Sequence, residues 1–121
     1  MRYMKKFENF IAGNYHSSLS YLDVYAPAEG KVYAQVADAT SSDLEKAVVA
    51  AKQAAEEWAK YPIPERSRLL LRVADKIEEN LEVLAQAETL DTGKPISAAR
   101  SVDIPRAAAN FRFFANAIVN M

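Results

Sequence analysis

The chain has 121 residues, half of them hydrophobic, with 15 basic and 16 acidic side chains and a net charge of −1 at pH 7. This balance gives no general attraction to nucleic acid or anionic lipid, so the sequence predicts no partner of either kind. The absence of cysteine excludes disulfides, thiolate nucleophiles and cysteine-based zinc sites, and it suits a reducing compartment. No stretch approaches the roughly 20 apolar residues of a membrane span, which favours a cytoplasmic protein.

Strand and turn signals fill residues 1–39. The run FENFIAGNYH places apolar side chains around Gly13-Asn14, a dipeptide suited to a hairpin turn with positive φ. YLDVYAP and KVYAQVA are two further runs rich in Tyr and Val, and the segment 28–30 between them is typical of a turn. The sequence therefore predicts three or four short antiparallel strands in this first segment.

Helical spacing begins at residue 40. Ser42 and Glu45 fit a capping box, because a hydroxyl and a carboxylate three residues apart can satisfy each other's backbone N–H groups. The apolar residues that follow fall on one helical face: Leu44, Ala47, Val48, Ala51, Ala55 and Trp58. This pattern predicts a long amphipathic helix that ends at the break Tyr61-Pro-Ile-Pro.

Further helices follow within 40–121. Pro64 suits the first turn of a second helix, Asn80 marks a cap or kink, and Gly93 stops a third helix. Beyond Pro95, a short helical piece precedes a longer helix that carries Pro105 in its first turn behind an Asp103 cap. Short strands followed by about four helices provide no alternating βαβ pattern, and hence no parallel sheet for the helices to cover.

The candidate catalytic groups are better explained by structure. His16 has no cysteine or suitably spaced acid to work with, so we expect an ordinary loop or strand-edge residue. Gly13, Gly30 and Gly93 are the only glycines, which excludes the glycine-rich loops that cradle phosphates. Taken alone, the residues predict a scaffold with no catalytic and no cofactor-binding side chain.

Asp91 in the run TLDTGKP is the exception that needs an explanation. It lies in the closing turn of the third predicted helix, where a carboxylate faces the negative end of the helix dipole. Such a placement costs about 0.3–1 kcal/mol at an exposed site.

The order of motifs resembles the opening segment of the NAD(P)-dependent aldehyde dehydrogenase superfamily over nearly the whole chain. The resemblance rests on NFIAGNY, on VYAPAEGKVYAQV, and on the long helical run that contains ERSRLLLR and ETLDTGKP. VDIPRAAANFRFFA is most similar to the branch of 2-aminomuconate and 2-hydroxymuconate 6-semialdehyde dehydrogenases. The implied fold is α/β of the aldehyde dehydrogenase type, of which 1–39 supplies N-terminal strands and 40–121 the outer helices of the cofactor-binding domain.

The resemblance also implies chemistry that this chain does not carry. In the family, an aldehyde forms a thiohemiacetal on a cysteine, passes hydride to the nicotinamide, and leaves as an acid after attack by water. Those elements match positions beyond residue 121, as do the parallel sheet and the catalytic and oligomerisation domains. We therefore expect a truncated aldehyde dehydrogenase that is inactive alone and binds no NAD(P), whereas its parent oxidises a small-molecule aldehyde.

Many family members hold a monovalent cation near the end of the third helix. Carried over by resemblance, its ligands would be the Asp91 carboxylate and the backbone carbonyls of Val24 and Tyr25, although Ala26 stands where an asparagine is common. A cation there would also suit the last-turn carbonyls that the helix leaves unpaired. The alternative is an Asp91 that is solvated or paired locally with Lys94.

Two functions remain open at this point. The first is the truncated enzyme, in which apolar helix faces left without their sheet lead to self-association. The second is an independent helical interaction module descended from the same region, which binds a full-length homologue or another protein through those faces.

Overall fold

A computed structural model describes residues 4–121, so the first three residues of the predicted segment 1–39 lie outside the described part. The chain forms two compact units, one that extends to Lys60 and one that begins at Tyr61. The first contains the strands and the first helix, and the second contains the remaining helices. The predicted division into segments 1–39 and 40–121 stays a prediction as a domain boundary. Its position coincides with the change from the last strand to the first helix. Among the described helices, none is long and apolar enough to cross a membrane.

The first unit contains five strands within the described residues: β1 (Lys5–Phe7), β2 (Asn9–Ile11), β3 (Asn14–His16), β4 (Tyr21–Ala26) and β5 (Lys31–Ala37). β5 lies in the middle of a three-stranded sheet, where it pairs antiparallel with β4 and parallel with β1. The prediction of antiparallel strands alone was wrong on this point. The partner of β1 lies far along the chain, and a local pattern of residues carries no signal for such a pairing.

β2 and β3 form the predicted hairpin, with the turn one residue earlier than expected. Ile11 pairs with Asn14, so the two turn residues are Ala12 and Gly13, with φ of 52° and 82°. Asn14 instead belongs to β3, and its side-chain amide donates to the carbonyl oxygen of Ala12 over 3.2 Å. The positive φ that the sequence assigned to an asparagine therefore falls on an alanine, a residue that tolerates it poorly.

The turn between β4 and β5 is confirmed. The carbonyl oxygen of Ala26 accepts hydrogen bonds from the backbone N–H groups of Glu29 and Gly30, and Gly30 has a φ of 64°. Ala26 and Ala34 are the buried hydrophobic residues of this sheet.

Helix α1 (Ser41–Lys60) begins with a capping box made by a different pair from the predicted one. The backbone N–H of Thr40 donates to the Asp43 carboxylate over 2.9 Å, and the N–H of Asp43 donates to Thr40 Oγ1 over 3.2 Å. The predicted pair, Ser42 and Glu45, was wrong by two residues. Both pairs have the three-residue spacing that the motif requires, so spacing alone did not distinguish them. Hydrogen bonds from Thr40 lower the pKa of Asp43 below its ordinary value.

The second unit begins with α2 (Ile63–Glu79) and α3 (Leu81–Thr92). Pro64 lies in the first turn of α2 and Asn80 separates the two helices, as predicted. Gly93 ends α3 in the left-handed conformation with a φ of 76°, and its N–H donates to the carbonyl of Thr89. These helix ends were predictable from the sequence because proline restricts its own φ and glycine readily adopts a positive φ.

The last helical run is continuous from residue 96 to residue 117. It comprises the short α4 (Ile96–Ala98), a π-helical segment (Ala99–Asp103) and α5 (Ile104–Ala117). Pro105 lies in the first turn of α5, as expected, but Asp103 is helical and makes no capping hydrogen bond. The cap is unnecessary because the π-helical segment leads directly into α5.

Alanines form the interior of the second unit. Ala74, Ala85, Ala99, Ala108 and Ala115 have no exposed surface. α5 packs mainly against α2, with Ala74 on one helix and Ala108 and Ala115 on the other. Small side chains allow the helix backbones to approach closely, so the positions of these helices depend on the small size of the residues between them.

Candidate functional site

The C-terminal end of α3 carries the predicted cation ligand Asp91. Two carbonyls of this last turn have partners, since Thr92 Oγ1 donates to the carbonyl of Glu88 over 2.7 Å and the Gly93 N–H donates to that of Thr89 over 3.0 Å. Lys94, the alternative local partner of Asp91, places its Nζ 2.9 Å from both carboxylate oxygens of Asp103. That hydrogen-bonded pair raises the pKa of Lys94.

Val24 and Tyr25 lie next to each other on β4, where the strand register is irregular. Val24 pairs with Ala34 and Tyr25 pairs with Val32, so Tyr33 is an extra residue on β5. Such bulges disturb the ladder of backbone hydrogen bonds, and they occur often beside functional sites. The predicted backbone ligands therefore coincide with a real irregularity that the sequence did not reveal.

The predicted ligand set of Val24, Tyr25 and Asp91 draws on residues of both units, and it stays a prediction. Within residues 4–121, no group of three or more histidine, aspartate or glutamate side chains gathers to hold a metal ion. A site built from one carboxylate and backbone carbonyls would not form such a group.

An ion pair that the sequence did not predict joins α3 to the π-helical segment. Arg100 donates from Nε and Nη2 to the two carboxylate oxygens of Glu82 over 2.7 and 2.6 Å. The hydrogen bond from Arg100, and then one from Gln86, lower the pKa of Glu82 from 4.5 to about 2. The same pair raises the pKa of Arg100. Eighteen residues separate the two partners, so no local motif predicts their contact.

A second charge cluster joins α5 to α2. Arg112 Nη2 lies 2.8 Å from Asp75 Oδ1 and 2.5 Å from Glu78 Oε2, and both carboxylates raise the pKa of Arg112, Glu78 more strongly. These two acids lie three residues apart on one face of α2. The cluster therefore links α5 to α2.

The structure places the lone histidine on a strand, and it places the three glycines in turns and at a helix end. His16 is the last residue of β3, exposed and paired with Asn9 in the hairpin. Gly13 and Gly30 lie in hairpin turns, and Gly93 lies at a helix C-terminus, whose partial negative charge repels phosphate. These three glycines therefore do not form a cradle for the phosphates of a dinucleotide.

Comparison with known proteins identifies the class to which this scaffold belongs. The model of the aldehyde dehydrogenase family matches residues 15–121. The chain is 49% identical over 113 residues to 2-aminomuconic semialdehyde dehydrogenase of Bos taurus, which covers 93% of this chain and 23% of the relative. It is 47% identical over 109 residues to the Homo sapiens protein of the same name, and that match covers 90% of this chain and 22% of the relative.

A solved structure agrees with these matches. The NAD⁺ complex of aldehyde dehydrogenase from Bacillus cereus superposes with a TM-score of 0.88 at 38% identity, and the match covers 93% of this chain and 24% of that one. The chain belongs to the aldehyde dehydrogenase family. Its matches lie in the N-terminal region of that family, and it spans about a quarter of the length of the relatives described.

Proposed function

We propose that this chain forms the N-terminal scaffold of an NAD(P)-dependent aldehyde dehydrogenase that oxidises a muconic semialdehyde to the corresponding acid. The observation that carries the proposal is the 49% identity to a 2-aminomuconic semialdehyde dehydrogenase across 93% of the chain. The independent interaction module gains no support, because each protein described above is an aldehyde-oxidising enzyme.

In this proposal the role of the chain is structural, and none of its residues takes part in the reaction. It has no cysteine to form a thiohemiacetal, and its glycines are placed in turns and at a helix C-terminus where they cannot cradle a pyrophosphate. The contribution of α2 to α5 is a set of closely packed helices, fixed by alanine contacts and by the pairs of Arg100 and Arg112. Alone, the chain neither binds NAD(P) nor oxidises aldehydes.

A chimera tests the scaffold role directly. Residues 1–121 would replace the matching segment of the bovine 2-aminomuconic semialdehyde dehydrogenase, and NADH formation would be followed with a semialdehyde substrate. We expect a soluble chimera that keeps NAD-dependent oxidation, because the segment supplies the same strands and helices. A chimera that folds and assembles like the bovine enzyme but forms no NADH would contradict the proposal.

The isolated chain provides the matched negative case. Calorimetry with NAD⁺ should give no saturable heat, and NADH formation should equal that of a protein-free control. Micromolar binding at one site would overturn the assignment of a purely structural role.

The cation site is a separate part of the proposal. We propose that Asp91, with the carbonyls of Val24 and Tyr25, holds a monovalent cation in the parent enzyme, where the ion would offset a carboxylate at the negative end of α3. In the chimera, Asp91→Asn should weaken the dependence of thermal stability on potassium or sodium. Choline chloride at matched ionic strength is the control. An unchanged response to potassium would count against the site, whatever the activity of the variant.

A further inference from the structure

The loop between α3 and α4 carries Lys94, the lysine that lies nearest in sequence to the proposed cation ligand Asp91. Lys94 follows the C-cap residue Gly93, and a positive charge at the end of a helix interacts favourably with the last carbonyls. An ammonium group three residues after Asp91 can therefore fulfil the same electrostatic role as a bound monovalent cation. Binding of an ion from solution at Asp91 thus depends on how Lys94 is held.

The structure holds Lys94 on a different carboxylate. Its Nζ lies 2.9 Å from both Oδ1 and Oδ2 of Asp103, nine residues further along the chain. The Asp103 side chain is 26% accessible and that of Lys94 is 48% accessible, so the pair is partly shielded from solvent. The hydrogen bond to Asp103 is the main cause of the raised pKa of Lys94, which identifies Asp103 as its dominant partner.

Asp103 is available for this contact because it does not cap a helix. The sequence predicts Asp103 as the cap of α5, but the residue is helical and makes no capping hydrogen bond. Its two carboxylate oxygens accept hydrogen bonds from one ammonium group instead.

The charged side chains in the last two turns of α3 are both acidic. Glu88 and Asp91 lie three residues apart, and Glu88 also contributes to the raised pKa of Lys94. With the charge of Lys94 balanced by Asp103, this helix end keeps two carboxylates beside the negative end of the helix dipole. Oxygen ligands and an excess of negative charge favour a hard cation.

We propose that Asp103 is a positioning residue that holds the Lys94 ammonium away from Asp91, so that this end of α3 takes a monovalent cation from solution. The inference rests on the proposed cation site and concerns what keeps that site accessible. Without Asp103, Lys94 pairs with the Asp91 carboxylate and competes with the ion as a tethered cation.

Four versions of the bovine chimera test this role: the unmodified chimera, Asp103→Asn, Lys94→Met and the double variant. Thermal stability is followed as potassium chloride replaces choline chloride at constant ionic strength, which gives an apparent Kd for potassium. Asp103→Asn should raise this Kd roughly two- to fivefold, the effect of one exposed ion pair that competes with the ion. Lys94→Met should not raise it, and the double variant should return to the unmodified value because the competitor is gone.

A pair that only supports the fold gives a different pattern. Lys94→Met and Asp103→Asn would then raise the Kd equally, and the double variant would not recover. That pattern overturns the proposal, as does an unchanged Kd in Asp103→Asn. Glu82→Gln, which removes the neighbouring ion pair with Arg100, is the matched control, and an effect equal to that of Asp103→Asn would also overturn the proposal.

Failure of the cation site itself has its own signature. An unmodified chimera that does not respond to potassium, or an Asp91→Asn variant that responds like the unmodified chimera, overturns the site and this inference with it. A potassium response that Asp91→Asn removes but Asp103→Asn leaves unchanged overturns only the role of Asp103.

Discussion

The alanine interior of the helical unit can be tested at Ala108. This residue has no exposed surface and lies on α5, the helix that packs against α2. Replacement by leucine adds a branched side chain where two backbones approach closely, so the helices must separate or the new side chain must adopt a strained rotamer. Overpacking of this kind costs about 1–3 kcal/mol. Helix propensity contributes little, because alanine and leucine are both strong helix formers.

The neighbouring Ala109 provides the control, since Ala109→Leu makes the same chemical change on the same helix at an exposed position. Urea unfolding followed by circular dichroism should place the Ala108→Leu midpoint well below that of Ala109→Leu. Each kcal/mol lost from the free energy of unfolding should lower the melting temperature by about 4–8 °C in a unit of this size. Equal midpoints for the two variants would refute the view that close helix contacts depend on the small residue.

Other predictions concern turns, charge and exposed surface. Gly93→Ala should destabilise the chain by about 1–2 kcal/mol in urea unfolding, because its φ of 76° is costly for a side chain, and Gly93→Asn should cost less. Thr40→Val should cost about 1 kcal/mol while Ser42→Ala changes little, since Thr40 makes the observed cap; a larger effect at Ser42 would contradict this. The folded-state pKa of Glu82 is about 2, below its ordinary 4.5, so its stabilising pair is complete above about pH 5 and lost as the pH falls towards 2. The stability difference between wild type and Glu82→Gln should shrink over that interval. The dye ANS should fluoresce with the folded chain, since many large apolar side chains are exposed, and an absence of binding would argue against their accessibility.

Helix ends were predictable where one residue fixes the backbone. Pro64 restricts its own φ, and Gly93 adopts a conformation that other residues avoid, so both act without help from tertiary structure. The residues of the capping box could not be assigned in this way, because two pairs of residues have the same spacing. Thr40 and Asp43 have the bonded geometry, and spacing alone could not exclude Ser42 and Glu45.

Contacts between distant residues could not be predicted in this way. The parallel pairing of β1 with β5 and the bidentate pair of Arg100 with Glu82 depend on the path of the chain. The bulge beside Val24 and Tyr25 has the same origin, since it is a property of two paired strands. The proposed cation ligands follow only from the resemblance, and no sequence pattern indicates an irregular strand at that position.

The π-helical segment has a consequence for how this chain can change in length. Its wider turns hold an additional residue, and one residue of a helix corresponds to about 100° of rotation. The face that α5 turns towards α2 is therefore determined by the number of residues between Ile96 and Asp103. A gained or lost residue in the solvent-facing turn at Glu29 and Gly30 would change only the loop. An insertion or deletion in the π-helical segment would instead turn Ala108 and its neighbours away from α2. We therefore expect related sequences to differ in length at the β4–β5 turn and to keep the same length in the π-helical segment.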